Sequence, residues 1–219
     1  YFQVLRDCGA LKVWFKELDA LFGVPQRPEY HPEIDCGIHA LMSLEAAHKA
    51  QGSLTVHWAA LVHDLGKALT PADILPRHIG HEKRGLAPLK ALHKRLKVPN
   101  DCAELAAFSS EFHTHVHRAF ELRGSTIMRL FDRLDVWRKP ERFEEFLQVC
   151  TADARGRTGF EDTAYPQADY MRNALKLAQS ITAKDIMAKG FAGAAIRKAL
   201  NEERTLYLEQ ELKGNRSAD

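Results

Sequence analysis

Four side chains in this sequence have the types and placement to hold one cation between them. His63 and Asp64 end a stripe of Val56, Ala59, Ala60 and His63, whose i, i+3, i+4, i+7 spacing puts it on one helix face just before the chain turns at Gly66. An imidazole on an apolar face has two ring nitrogens to satisfy. A hydrogen-bonded His–Asp pair of purely structural role would do that as well as a metal ligand would. His39, on the preceding helix, shares a face with Met42, Ser43 and Ala46 and also points inward. Asp153, far along the chain, shares a face with Phe146, Val149 and Cys150, and a buried aspartate is costly unless its charge is compensated. One divalent cation relieves all four groups at once. Imidazole and carboxylate donors suit Ni2+, Mn2+, Co2+, Fe2+ or Mg2+ better than a metal that prefers thiolates.

The elements that must position these groups are helical nearly throughout. The periodicity predicts helices over 2–22, 36–50 (capped by Asp35), 55–66, 81–97, 101–118, 125–137, 140–154, 167–180 and 193–212, with a proline-bearing connection from Val24 to Pro32 and a loop from Pro71 to Gly80. No alternation suggests a buried sheet and no internal repeat is visible, so the expected architecture is an all-α bundle. The 219 residues are 45% hydrophobic and 27% charged, enough for one substantial core and too apolar for disorder. No apolar run approaches the roughly 18 residues of a membrane span. The four cysteines, Cys8, Cys36, Cys102 and Cys150, form no CxxC pair and read as reduced core thiols of a cytoplasmic protein. Eleven histidines are the unusual count; His31 is read as ordering the connection before α-helical residue 36, and His48, His57, His78 and His93 as structural.

At this point the pattern His39…His63-Asp64…Asp153 resembles the H…HD…D signature of the HD-superfamily metal-dependent phosphohydrolases, whose fold is all-α, and His63-Asp64-Leu65-Gly66-Lys67 is similar to their HD-x-GK core. The stretches HPEIDCGIHALMSL (31–44), HDLGKALTP (63–71), RHIGHEKRG (77–85), LFDRLDVWRKPER (130–142) and ADARGRTGFEDTAYPQ (152–167) look like the C-terminal HD region of bacterial CCA-adding enzymes, the tRNA nucleotidyltransferases of the gammaproteobacterial type. The resemblance implies metal ligation by His39, His63, Asp64 and Asp153, with Asp64 also orienting the attacking water. It implies phosphatase, 2′-nucleotidase and 2′,3′-cyclic phosphodiesterase activities, with Ni2+ favoured for the first and Mg2+ sufficient for others. It divides the chain into an N-terminal linking helix (1–30), an HD phosphohydrolase domain (31–160) and a helical C-terminal tail (161–219). No DxD motif of the family's nucleotidyltransferase head occurs here, and the helical pattern starts at Tyr1 without a Met. The expectation is therefore a piece of a longer enzyme that does not itself add nucleotides.

Around the ligands stand candidate contacts for a substrate phosphate, each with a plainer reading beside it. Lys67, just past a helix end, is either a phosphate contact or a surface lysine. His81 opens a helix after Gly80, where an anion is favoured, or is a surface histidine. His113 matches a family position as a second-site ligand or phosphate contact, although the chain reads EFHT where the family has EFHD, so Thr114 supplies no carboxylate. Residues 67–97 hold eight Lys/Arg, Arg84 among them, against two Asp/Glu, which is a phosphate-attracting surface or a solvated helix face. Arg155 and Arg157 clamp a phosphate or finish a helix. The segment KGFAGAAIRKAL (189–200) places Arg197 and Lys198 on a basic helix that meets RNA phosphate or packs on the bundle. The leading expectation is a hydrolase of nucleotide phosphates with tRNA as partner; the alternatives are a tRNA-binding body with secondary hydrolysis, and a metal-free scaffold. A homodimer is left open.

Overall fold

The computed structural model describes residues 1–212. In chain order the helices are α1 (Phe2–Asp7), α2 (Leu11–Trp14), α3 (Lys16–Asp19), α4 (Cys36–Lys49), α5 (Leu54–Val62), α6 (His81–Arg84), α7 (Leu86–Leu96), α8 (Asn100–His117), α9 (Gly124–Leu134), α10 (Pro140–Arg155), α11 (Pro166–Ser180), α12 (Ala183–Ala188) and α13 (Ala195–Glu211). Among the described residues there is no β-strand, only an isolated antiparallel bridge between Pro25 and Asp35, so the fold is all-α as expected. The chain forms two compact units: Tyr1–Thr114 with Arg142–Tyr165, and His115–Glu141 with the residues from Pro166 on. No described helix is long and apolar enough to cross a membrane.

In the first unit the expected opening helix is three short ones. Gly9 takes a left-handed φ of 75° and breaks the run after α1, and Phe15 leaves helical geometry between α2 and α3. Asp35 caps α4 as read from sequence, its carboxylate accepting from the amides of Gly37 and Ile38. Ser53 caps α5, accepting from Val56, and α5 packs on α4. The core of this unit is built from fully buried Leu11, Leu18, Leu21, Leu61, Leu65, Leu89, Leu92, Leu105 and Phe146, each worth about 1.5–3 kcal/mol of transfer free energy. Cys36, Cys102 and Cys150 are buried free thiols, but Cys8 is exposed rather than in the core.

Helix α5 stops at Val62 instead of reaching Gly66, and residues Leu65–Leu69 tighten into a 3-10 turn. Gly66 is not a helix cap. A Cβ there would lie 1.9 Å from the carbonyl oxygen of His81 and 2.6 Å from the amide of Gly85, so glycine permits the 3-10 turn to lie directly on α6. The predicted single helix over 81–97 is likewise split at Gly85 into α6 and α7.

The second unit is organised on α13, against which α9, α11 and α12 pack. Helix α9 buries Ile127, Met128, Leu130, Phe131 and Leu134 along one face. The six-residue α12, too short to announce itself by periodicity, starts with a capping box between Thr182 and Asp185. The guanidinium of Arg204 lies 4.1 Å over the ring of Trp137 and donates to the carbonyl of Ile181.

Candidate metal centre

The first unit brings His39 from α4, His63 and Asp64 from the end of α5, His81 from α6, His113 from α8 and Asp153 from α10 to one buried hub, each side chain at most 10% exposed. The four imidazoles share one arrangement. In each, Nδ1 faces a backbone carbonyl: Gly156 for His39 at 3.0 Å, Ala60 for His63 at 2.8 Å, His78 for His81 at 2.7 Å and Ser109 for His113 at 2.9 Å. A carbonyl can only accept, so each Nδ1 carries the proton and each Nε2 is turned toward the hub with its lone pair. Gly156 is required for this seating, since a Cβ there would lie 2.6 Å from the backbone of Ser43 one turn along from His39.

The two aspartates complete the hub. His39 Nε2 stands 2.9 Å from Asp153 Oδ1, and His63 Nε2 stands 3.3 Å from Asp64 Oδ2 and 3.4 Å from Asp153 Oδ2. His81 and His113 direct Nε2 at the other oxygen of Asp64, at 3.2 and 3.5 Å, and lie 3.4 Å from each other. Such separations are those between neighbouring ligand atoms on a centre with bonds of about 2.0–2.2 Å. His39, His63 and Asp153, and separately His63, Asp64 and His113, place one donor atom each within 4.8 Å of one another.

A divalent cation fits the donors that are present. Two buried atoms, His63 Nε2 and Asp64 Oδ1, have no hydrogen bond, and buried polar atoms are seldom left so. With the imidazoles neutral, the carboxylates of Asp64, Asp153 and the adjacent Glu33 face one ammonium, that of Lys67, so negative charge is in excess. The electrostatics of the hub point the same way. Burial alone would press His39 and His63 down, yet Asp153 and Glu33 hold His39 above the ordinary histidine value, and Asp64 and Asp153 hold His63 well above it. Asp64, despite burial, is held well below the usual carboxylate range by Lys67 and His63. Burial keeps His113 neutral, well below the ordinary value.

The H…HD…D donor set lies on an all-α fold, and residues 37–137 of the chain match the HD domain family. Its relatives narrow this further. The chain is 55% identical over 204 residues to the Multifunctional CCA protein of Pseudoalteromonas atlantica, 52% to that of Pseudomonas fluorescens and 55% to that of Acinetobacter baumannii, each match covering 93% of this chain. It spans about half the length of these relatives, 49–50%. No solved structure matches it significantly.

The other expected contacts fall elsewhere. Lys67 is neither on the surface nor free to reach outward: its ammonium is buried, 2.6 Å from Asp64 Oδ2 and 2.9 Å from Gln26 Oε1. Arg84 pins the 70–80 loop, donating to the carbonyl of Ile79 and the hydroxyl of Thr70. Arg155 donates to the carbonyl of Thr163, and Arg157 donates to the carbonyls of Ala154 and Tyr30 and covers the Phe160 ring. Thr114 donates to Glu82. Arg197 and Lys198 belong to the second unit, both exposed. Two residues absent from the sequence reading, Glu33 and Gln26, also join the first unit's site, and His31, expected only to order the connection, sets its ring edge-to-face on His39. Gln26 carries no periodic or motif signal, and Glu33, although inside the quoted 31–44 stretch, lies in turn-forming sequence where a polar residue is ordinary.

Proposed function

We propose that the chain hydrolyses phosphate esters of nucleotides, with 2′,3′-cyclic phosphodiesters and 2′-phosphates as substrates and RNA ends as their source. The observation that carries this is the convergence of four Nε2 lone pairs and two carboxylates on one buried hub. A divalent cation bound there, Ni2+ or Mg2+, supplies Lewis acidity toward a phosphoryl oxygen and acidifies a water. His39, His63, Asp64 and Asp153 would hold it. Asp64, kept ionised by Lys67, would also orient the attacking water. His81 and His113 present Nε2 beside Asp64 Oδ1 and either complete the ligand sphere or contact the substrate phosphate.

The test is hydrolysis of 2′,3′-cyclic AMP by the purified chain, with and without added Ni2+ or Mg2+. Asp64→Ala and the isosteric Asp64→Asn are expected to lower the metal-stimulated rate by at least about 100-fold, because a ligand rather than its support is removed. Equal rates in wild type and both variants would overturn the reading. A second reading, an RNA-binding surface for tRNA, is favoured by the exposed cations at the start of α13, Arg197 and Lys198. It predicts salt-dependent tRNA binding that survives Asp64→Asn and weakens in an Arg197→Ala, Lys198→Ala double variant.

A further inference from the structure

The hub is supported from a segment that precedes the matched HD residues. Val24–Gln26 pairs with Ile34–Cys36: the Gln26 amide donates to the Ile34 carbonyl at 2.7 Å, the Cys36 amide to the Val24 carbonyl at 3.1 Å, and the Gly23 amide to Asp35 Oδ2 at 2.6 Å. This clasp places two buried polar side chains, Gln26 and Glu33, 2% exposed each, beside the hub. Glu33 Oε1 lies 3.0 Å from His39 Nδ1 and 3.1 Å from His31 Nδ1. Lys67 links Gln26 to Asp64. Gln26 Nε2 donates to Glu33 Oε1 at 3.4 Å, closing the circuit.

We propose that Gln26 is a positioning residue that couples the two ligand arms of the centre, His39 through Glu33 and Asp64 through Lys67. The chemistry of the amide is what the place demands. Glu33 can only accept and Lys67 can only donate, so a neutral side chain between them must donate at one end and accept at the other. A second carboxylate would repel Glu33, and a second cation would repel Lys67. Glutamine satisfies both without adding charge, and it is long enough to span from the clasp. Through this link a shift of His39 on α4 is transmitted to Asp64 at the end of α5, so the two ligands keep their mutual spacing as one unit. Groups of this kind, hydrogen-bonded behind ligands, orient them and tune their affinity.

The proposal rests on the hub being a metal centre, and the experiment separates the two. Mn2+ is titrated calorimetrically into the chelator-stripped full chain for wild type, Gln26→Met, Lys67→Met and the double variant. The expected result is about tenfold weaker Mn2+ binding by Gln26→Met. The double variant should bind no more weakly than Lys67→Met, because either substitution breaks the same circuit between Glu33 and Asp64. The metal-free thermal midpoint of Gln26→Met should move by no more than about 2 °C, which separates ligand positioning from general destabilisation. Affinity within twofold of wild type, or losses in the two single variants that add, would overturn the coupling. No Mn2+ binding by wild type would overturn the metal centre itself. Should Gln26→Met not fold, Gln26→Asn, one methylene short of spanning both partners, takes its place with the same expected loss, and wild-type affinity in it overturns the coupling equally.

Discussion

At the residue scale the centre is governed by which nitrogen of each histidine carries its proton. Backbone carbonyls accept from Nδ1 four times over, at Gly156, Ala60, His78 and Ser109, so each Nε2 is turned toward the hub before any cation or substrate arrives. The residues that resist sequence reading are those whose role depends on a distant partner. Lys67 looks like a solvent-facing lysine and is instead the buried counter-charge of Asp64. Histidines away from the hub show the contrasting case. His93 accepts the indole N–H of Trp58 at 3.0 Å, and burial holds its pKa below the ordinary value. Protonation forfeits that acceptor. The unfolded chain therefore takes up the proton first as pH falls, so stability from this pair is present at neutral pH and is lost on acidification through the ordinary histidine range. His93→Gln keeps an acceptor and does not titrate. In urea unfolding with chelator present, it is expected to lose less stability than wild type between about pH 7.5 and 5.5, by up to about 1 kcal/mol; equal losses would refute the assignment.

At the scale of elements, close backbone approach and capping decide where the ligands stand. Gly66→Ala would drive a methyl into the carbonyl of His81, where backbone cannot yield as a flexible side chain can. It is expected to cost at least about 2 kcal/mol and to reduce cation affinity, since the contact it breaks is what brings α6 and His81 to Asp64. Asp35→Ala removes the α4 cap and the tie to Gly23 together, and should cost about 1–2 kcal/mol. Urea midpoints for both variants, with cation titrations alongside, check these values; an unperturbed Gly66→Ala would mean that the 3-10 turn packs more loosely than the structure has it. The helices with long amphipathic stripes were legible in sequence, α4, α8, α10 and α11 among them. The 3-10 turn was not, because its geometry follows from packing on α6 rather than from its own composition. Gly66 at the end of a periodic run carries the signal of a cap, whereas the fold uses it for contact.

At the scale of the whole molecule, cation binding and folding are linked, because the hub gathers ligands from five helices and their ends and does not exist in the unfolded chain. Free Mn2+ at about a hundred times its Kd is expected to stabilise the chain by about 2.7 kcal/mol over the chelated state, and Asp64→Asn should abolish most of that gain. Calorimetric or urea unfolding with and without Mn2+ measures both, and an unmoved wild-type transition would exclude a cation site that forms on folding. The sequence by itself determined the all-α class and marked His39, His63, Asp64 and Asp153 as inward-facing groups whose burial calls for compensation, because helical periodicity and the cost of buried charge are local properties that survive in one dimension. Only the tertiary structure decided that His81 and His113 reach the same hub, that Lys67 is buried and spoken for, and that Glu33 and Gln26 stand behind the ligands. Those facts depend on which turn meets which helix across tens of residues, and the free energy of such contacts is carried by neither partner alone.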